Sequence, residues 1–241
     1  MATDNIVANP FSEGTFVVVD KPLHWTSFDV VNKFRYLLTK KLGIKRLKVG
    51  HAGALDPLAT GVVVLCTGKY TKRIDEVMKN RKVYTATITL GATTPSYDME
   101  SSINATYPTE HITEELIHDV LGQFVGEIKQ VPPLFSAVKV DGKRAYHLAR
   151  KGENVQLPAK DITIYGIDLL HTDLPNITLK ITCGKGTYIR SLARDIGRAL
   201  GSGGYLSFLR RDSVGDFDLS NSVKVEDFEE FIEEKIRNYR G

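Results

Sequence analysis

Apolar residues recur along this chain with two different spacings, and the two spacings predict a mixture of strands and helices. Every second residue is apolar over Val83–Leu90 and Ile177–Cys183, which predicts strands with one buried face. The runs Thr15–Asp20 and Gly61–Cys66 are short and rich in valine, which favours buried strands. A last strand or hairpin is predicted over Tyr205–Phe217.

Spacings of three and four residues predict the helices. Thr26 and Asp29 have the arrangement of a capping box, and the apolar residues that follow them share one helix face. Further helices are predicted over residues 112–124, 145–150, 189–200 and 225–236. Because strands and helices are mixed without a regular strand–helix–strand rhythm, the predicted fold class is α+β.

The composition is ordinary for a globular protein of 241 residues, with 42% hydrophobic and 25% charged residues. The two cysteines, Cys66 and Cys183, lie far apart in apolar runs, which indicates buried thiols in a reducing compartment. The amino-terminal sequence lacks the features of a secretory signal, and the longest apolar runs are too short to span a bilayer. We therefore expect a cytoplasmic protein without a membrane partner.

The positive charge of the chain is small but clustered. The net charge is +3 at pH 7, from 32 basic and 29 acidic residues. Residues 40–48 include five bases and no acid, and residues 139–151 include five bases and one acid. Each segment alone is more often a solvated face, whereas several such segments separated by folded sequence fit a surface that follows nucleic-acid phosphates.

The segment Gly50–Gly61, GHAGALDPLATG, places a single carboxylate, Asp56, among glycine, alanine and proline. An aspartate before a proline is most often a turn residue. Pro57 restricts Asp56 to extended conformations, however, and the small neighbours let a bulky ligand approach the backbone. Leu55 can limit the access of water and thereby change the reactivity of the carboxylate. These residues alone leave both a turn and a catalytic carboxylate open.

Several kinds of catalytic site do not fit the sequence. One histidine and one aspartate in this loop are too few ligands for a metal, so no metal site is expected. The GxSxG motif of a nucleophile elbow, the GxGxxG motif and the Walker loop are absent from the sequence. An isolated carboxylate can still act as a nucleophile or as a general acid or base.

Several segments resemble, in the same order, the motifs of the TruB family, the tRNA pseudouridine-55 synthases. GHAGALDPLATG resembles the catalytic loop of that family, and the resemblance extends over roughly residues 14–217. The other matching segments are VVDKP (18–22), KVYTATITLG (82–91), PPLFSAVKVDGKRAYHLARKG (132–152), CGKGTYIRSLARDIG (183–197) and FLRR (208–211). Each motif alone is moderately specific, but their common order is highly specific.

The resemblance implies the pseudouridine synthase fold, with a long mixed, mostly antiparallel sheet, flanking helices and a central active-site cleft. It also implies the reaction, in which the N-glycosidic bond of a uridine is cut, the base turns over, and C5 is joined to the ribose. The family uses no cofactor and no metal. The implied partner is the tRNA T-arm, whose uridine 55 is flipped out of its stack, and a monomeric enzyme is expected.

The resemblance assigns three catalytic residues. Asp56 matches the family's essential aspartate, a nucleophile that attacks either the base or the sugar. Tyr84 matches the tyrosine that stacks on the target base, and Arg190 matches the arginine that pairs with the aspartate. Taken alone, Tyr84 is more often a core aromatic residue and Arg190 is more often a surface arginine of a helix.

Further residues are assigned to substrate binding. His51 matches a histidine that fills the gap left in the T-loop by the flipped uridine, and Tyr188 and Leu209 match pocket residues that contact the base. Lys21, in VVDKP, is also assigned to the substrate. The insertion contributes Lys139, Arg144 and Arg150.

The expected organisation follows from the matched segments. Its parts are an amino-terminal arm (1–13), a catalytic domain (14–220) with an RNA-clamping insertion (126–152), and an acidic amphipathic helix (221–241). The side of that helix with Phe228, Phe231 and Ile232 is expected to pack on the body. Many relatives carry a carboxy-terminal PUA domain, for which the residues after the last motif are too few. We therefore expect RNA binding to depend on the catalytic domain and its insertion.

Three other functions remain to be distinguished. Synthases of ribosomal RNA usually show Arg-Leu-Asp at the nucleophile, whereas this chain has Ala54-Leu55-Asp56. A guide-RNA-dependent relative normally retains the PUA module. A non-catalytic RNA chaperone does not need the intact set of Asp56, Tyr84 and Arg190, although such a role can accompany catalysis.

Overall fold

A computed structural model describes residues 9–44, 46–136, 139–140, 143–144 and 157–239, the two short pairs by their backbone only. The helix predicted over 145–150, and Arg150 with it, lie outside the described residues. Lys139 and Arg144 face each other as partners in a short antiparallel strand pair.

The chain forms two compact units. The first unit combines Met1–Asn80 with Arg210–Gly241, and the second unit comprises Arg81–Leu209. The catalytic domain that the sequence predicts over residues 14–220 is thus divided between the two units. Each unit is described separately below.

The helices and strands follow one another in a mixed order. The helices are α1 (Pro10–Glu13), α2 (Ser27–Leu42), α3 (Ile74–Lys79), α4 (Glu114–Gly122), α5 (Ile189–Ala199) and α6 (Phe228–Arg237). The strands are β1 (Phe16–Lys21), β2 (Val49–His51), β3 (Ala59–Thr67), β4 (Lys82–Leu90), β5 (Ala92–Thr93), β6 (Ala105–Thr106), β7 (Gly126–Gln130), β8 (Lys139–Val140), β9 (Lys143–Arg144), β10 (Lys160–Asp173), β11 (Asn176–Cys183), β12 (Gly204–Val214), β13 (Phe217–Asp218) and β14 (Val223–Lys224). Short 3₁₀ helices cover Gly68–Arg73 and Leu219–Asn221.

The sheet of the first unit is built on β1 and β3. The two strands are antiparallel, from Phe16 opposite Cys66 to Lys21 opposite Gly61. Strand β14 runs parallel to β1, and β2 is antiparallel to the end of β3. β1 and β3 are the strands that the valine-rich runs predict, so that prediction is confirmed. Together, β2 and β3 hold the two ends of the loop that contains Asp56.

Two helices of the first unit pack on each other. At the start of α2, Thr26 and Asp29 form the predicted capping box, with each residue bonding the main-chain N–H of the other. The Phe34 ring of α2 meets the Phe228 ring of α6 edge-on, with 4.9 Å between centroids. Phe228 is fully buried. The prediction that the carboxy-terminal helix packs on the body by its aromatic side is confirmed, and the surface it covers belongs to α2.

The sheet of the second unit has the strand order β4, β11, β10, β7, and each neighbouring pair is antiparallel. The alternation predicted from the sequence is present, because Ile88, Ile177 and Ile181 are fully buried. Tyr84 lies opposite Ile181 and is also buried, as predicted. The mixed sheet and the helices confirm the α+β class.

Helix α5 of the second unit packs directly on the start of β12. A methyl group added at Gly197 would lie 2.4 Å from the main-chain nitrogen of Gly204, so no larger residue fits there. Leu192 and Ile196 of α5 are fully buried. This close packing fixes the helix that carries Arg190.

Candidate active site

The Asp56 loop, residues 52–58, is a tight connection between two paired strands. His51 of β2 lies opposite Leu65 of β3, and Ala52 N–H donates to the carbonyl of Val64 at 2.8 Å. Inside the loop, the N–H of Ala59 donates to the carbonyl of Asp56 at 3.0 Å, which closes a turn. The sheet therefore determines where the loop begins and ends.

Arg211 on β12 holds the first half of the loop. Its side chain is 2% exposed. Its Nε donates to the carbonyl of Val62 at 2.7 Å, and its Nη2 and Nη1 donate to the carbonyls of Gly53 and Ala54 at 3.0 and 3.4 Å. Gly61 lets β12 come this close, since its φ is +98° and an added methyl group would lie 2.3 Å from the Arg211 carbonyl oxygen. The N–H groups of the buried guanidinium thus donate to main-chain carbonyl groups.

Ser27 fixes the residue just before Asp56. Its hydroxyl oxygen accepts from the N–H of Leu55 at 2.8 Å, and the same hydroxyl donates to the Leu55 carbonyl at 3.4 Å. Ser27 is the first residue of α2 and is 2% exposed. The amino-terminal turn of α2 therefore supports the Asp56 loop.

Lys21 holds the residue just after Asp56. Its ammonium group donates to the carbonyls of Pro22 at 3.0 Å, Trp25 at 2.6 Å and Pro57 at 3.4 Å. The N–H of His24 donates to the same Pro57 carbonyl at 2.8 Å. The sequence assigned Lys21 to the substrate; its side chain is fully buried, and these carbonyl groups accept from its ammonium group.

The charges of Lys21 and Asp56 influence each other. Burial lowers the pKa of Lys21 to about 8, while the Asp56 carboxylate acts in the opposite direction. Asp56 itself is half-buried, and Leu55 beside it is buried. The geometry presents a partly dehydrated carboxylate on a loop whose backbone is bonded on both sides, which suits a nucleophile or a general base.

His51 lies at the start of the same loop and is half-buried. Burial, and to a smaller extent the positive charge of Arg211, lower the pKa of its imidazole, which is therefore neutral at pH 7. Its Nδ1 is buried and has no hydrogen-bond partner among the residues that the structure describes. A neutral ring with one unused nitrogen is suited to stack on a base or to accept or donate one hydrogen bond.

The second unit holds the predicted base-contacting residues. Tyr84 is 8% exposed and lies on β4, and Leu209 on β12 is equally buried. Tyr188 is half-buried, and its main chain is bonded on both sides by the Gln130 carboxamide, which accepts from the Tyr188 N–H at 2.8 Å and donates to its carbonyl at 3.1 Å. These bonds hold the backbone in place just before α5 begins.

Arg190, in the first turn of α5, is buried in a polar surrounding. Its side chain donates to the carbonyl of Phe135 at 3.0 Å and to that of Ser96 at 3.4 Å. Its Nε lies 3.7 Å from a carboxylate oxygen of Asp98, and both side chains are less than 10% exposed. Asp98 also accepts from the N–H of Glu100 at 2.9 Å. The second unit thus contains a buried ion pair at the position of the family's arginine.

The sequence reasoning missed several residues that support the predicted site residues within each unit. Ser27, Arg211, Asp98 and Gln130 have no role in the sequence-based assignment. Arg211 does lie in the FLRR segment, where its neighbour Leu209 was selected. The other three carry no local signal, because their partners are main-chain groups or residues far away in the chain.

Within the described residues, no group of three or more histidine, cysteine, aspartate or glutamate side chains could hold a metal ion. In the same part of the chain, no helix has the length and apolar character needed to cross a membrane.

Similar sequences cover almost the entire chain. A protein called tRNA pseudouridine synthase B in Phocaeicola vulgatus is 59% identical over 225 residues, which are 93% of this chain and 96% of that protein. The protein of the same description in Flavobacterium johnsoniae is 50% identical over 92% of this chain and 98% of its own length. A similarity of this extent implies a common fold and a common ancestry over the matched part of the chain.

A solved structure agrees with the fold. The chain superposes on one protein of a Cbf5-Nop10-Gar1 complex with a TM-score of 0.71 and 26% sequence identity. The match covers 98% of this chain and 64% of that one.

Family models match on both sides of Arg190. Residues 39–189 match the N-terminal domain of TruB family pseudouridylate synthases, and residues 190–239 match the C-terminal domain of tRNA pseudouridylate synthase B. The first match alone covers more than half of the chain. On this basis, the chain belongs to the TruB family of pseudouridylate synthases.

Proposed function

We propose that this enzyme converts uridine 55, in the T-loop of tRNA, into pseudouridine, with Asp56 as the nucleophile. The observation that carries the proposal is the support of the Asp56 loop, in which buried side chains bond the backbone of residues 53, 54, 55 and 57. A reacting group with so little freedom starts close to its reactive position. The relatives described as tRNA pseudouridine synthase B support the choice of tRNA.

The proposed reaction is an isomerisation and is balanced without a co-reactant. The bond between C1′ and N1 breaks, the base rotates, and a bond between C1′ and C5 forms. The proton that leaves C5 is matched by the proton that N1 gains. The Asp56 carboxylate serves as the temporary covalent partner of either the base or the sugar, so neither a cofactor nor a metal enters the proposal.

Tyr84 and Arg190 are assigned to the flipped base and to the carboxylate, respectively. In the proposal, the Tyr84 ring stacks on the uracil and moves a proton, while Arg190 keeps Asp56 ionised. The burial of Arg190 supports this role, because a positive charge stabilises a carboxylate more strongly when water is excluded. Its bonds to main-chain carbonyls and to Asp98 already orient the guanidinium.

His51 is assigned to the space that the flipped uridine leaves in the T-loop. The neutral ring avoids the cost of burying a charge among stacked bases. Its Nδ1 lacks a partner among the described residues, and an RNA group would satisfy that atom. Tyr188 and Leu209 are proposed to contact the base, and Lys139, Arg144 and Arg150 to contact the RNA backbone.

The experiment is the mapping of pseudouridine by carbodiimide labelling on unmodified whole tRNA and, in parallel, on ribosomal RNA. Wild-type protein, Asp56→Asn and the control Asp75→Asn are compared; Asp75 is an exposed aspartate of α3 in the same unit. We expect one new pseudouridine in the T-loop with wild type and Asp75→Asn, and none with Asp56→Asn, which still binds tRNA.

Other results would contradict the proposal in distinct ways. Modification of ribosomal RNA but not of tRNA would change the substrate. Binding of tRNA without any modification by the wild type would favour an RNA chaperone. Loss of both folding and binding in Asp56→Asn would make Asp56 a structural residue.

A further inference from the structure

A pocket of about 550 Å³ lies in the second unit, next to the helix of Arg190. It is bordered by the end of α4, by β7 and by the exposed side of α5. Its volume falls in the range of sites that bind small molecules or single nucleotides. None of the residues assigned to the catalytic site lines this pocket.

The charge of the pocket is predominantly positive. Lys129, Arg194 and Arg198 line it, and Asp195 is the acid among the lining residues. Arg194 and Asp195 neutralise each other at 2.7 Å. Lys129 and Arg198 are exposed and, within the described part of the chain, neither side chain forms an ion pair or a hydrogen bond. Two positive charges in the pocket therefore remain available for an anionic ligand.

An aromatic surface completes the pocket. The Arg194 guanidinium lies over the Tyr97 ring at 4.7 Å from its centroid and also donates to the carbonyl of Val131 at 3.3 Å. Tyr97 has a φ of +62°, a conformation that is uncommon for a bulky residue. Its main chain is held there, since its N–H donates to the Thr94 carbonyl and its carbonyl accepts from the N–H of Leu206. The ring is thus oriented in advance of binding.

We propose that this pocket binds a nucleotide of the RNA substrate outside the reacting uridine, with its phosphate between Lys129 and Arg198 and its base against Tyr97 and Phe124. Aromatic rings beside arginine and lysine are the usual means by which proteins bind unpaired nucleotides. The acidic groups of a peptide could meet the same two cations, but a peptide would leave the aromatic surface unused. The inference rests on the proposed function, because the RNA that would enter this pocket is the tRNA substrate proposed above.

The test measures the affinity of a fluorescently labelled T-arm stem-loop RNA as a function of salt concentration. The pocket variant is Lys129→Glu with Arg198→Glu. The control is Lys79→Glu with Lys180→Glu, which changes the net charge equally at exposed positions outside the pocket. The pocket variant is expected to bind on the order of tenfold more weakly than the control, and the slope of log K against log salt to be shallower by about 1 to 2.

A variant that keeps both positive charges and a parallel assay of pseudouridine formation complete the test. The variant Lys129→Arg with Arg198→Lys keeps both charges and is expected to bind like wild type. Equal weakening of the pocket and control variants, or no change in either, would overturn the pocket proposal. Pseudouridine formation is measured with the wild type in the same preparations. If the wild type forms none while the two double variants still differ in RNA binding, the proposed function is wrong and the pocket remains an RNA site.

Discussion

Buried polar side chains hold the Asp56 loop, and each of them bonds to main-chain atoms. Arg211 bonds to the residues before Asp56, Ser27 to Leu55 and Lys21 to Pro57. A buried polar group lowers the stability of the protein unless its hydrogen bonds are formed. Each of these side chains therefore favours the one loop conformation in which its bonds are present. Single substitutions of these residues can therefore test how much each one stabilises the loop.

Arg211→Met is expected to destabilise the protein by about 2–4 kcal/mol, because several buried carbonyls lose their donor. Arg210→Met is the matched control, since the Arg210 side chain is half exposed and pairs with Asp212 at the surface. We expect this control to lie within about 1 kcal/mol of wild type. Urea unfolding measures both values, and equal losses in the two variants would contradict the role given to Arg211.

Lys21 is expected to make the stability depend on pH. The unfolded chain holds the Lys21 proton more tightly than the folded chain, because burial lowers the folded pKa to about 8. The contribution of Lys21 to the free energy of unfolding therefore increases by roughly 3 kcal/mol as the pH rises from about 8 to about 10.5. Urea unfolding of wild type and Lys21→Met checks this, and a difference between them that stays constant over that range would refute it.

At the scale of elements, the carboxy-terminal helix stabilises the first unit through one buried aromatic contact. Phe228 of α6 is fully buried against Phe34 of α2, while the acidic residues of α6 face outwards and pair with Lys41. An amphipathic helix gains its stability from such packing more than from its intrinsic propensity. The acidic residues of this helix thus lie on its solvent side, where Glu229 and Glu233 both pair with Lys41.

Phe228→Ala is expected to cost about 3–5 kcal/mol, since it leaves a cavity under α6. Phe231→Ala is the control on the same helix, because Phe231 is half-buried and its ring centroid is 6.5 Å from that of Phe34. The control should cost about 1 kcal/mol. Thermal and urea unfolding measure both variants, and a loss in Phe228→Ala no larger than in the control would show that α6 contributes little.

At the scale of the molecule, the small net charge of +3 conceals local concentrations of basic residues. Binding to a polyanion depends on how many cations reach phosphates, and the net charge is a poor guide to that number. The basic residues at 139–151 and the pocket beside α5 are two candidates for such contacts. Variants of each region should show how much it contributes to RNA affinity, because each should change the salt dependence of binding separately.

Replacing Lys139, Lys143, Arg144, Arg150 and Lys151 by glutamine is expected to weaken binding to the T-arm and to reduce the salt slope by at least about 2. The comparison is a variant with Lys33, Lys72, Lys79, Lys180 and Lys224 changed to glutamine, which has the same net charge; these lysines are exposed and lie outside the basic segments. Anisotropy titrations at several salt concentrations measure both variants. Identical slopes would show that the insertion acts only through the net charge of the protein.

The sequence by itself determined the local features of this protein. The capping box at Thr26 and the buried faces of β4 and β11 depend on residues close together in the chain, and such patterns follow from helix and strand geometry alone. The Asp56 loop was also selected from its composition and from the resemblance to a family. Its catalytic role is still a proposal.

Only the tertiary structure decided how that loop is held. Lys21, Ser27 and Arg211 come from β1, α2 and β12, and they meet at the loop because the sheet and its helix bring those elements together. The same is true of Arg190 and Asp98 in the second unit. Most of the acceptors are main-chain carbonyls, which every residue possesses, so no side-chain pattern in the sequence marks them in advance.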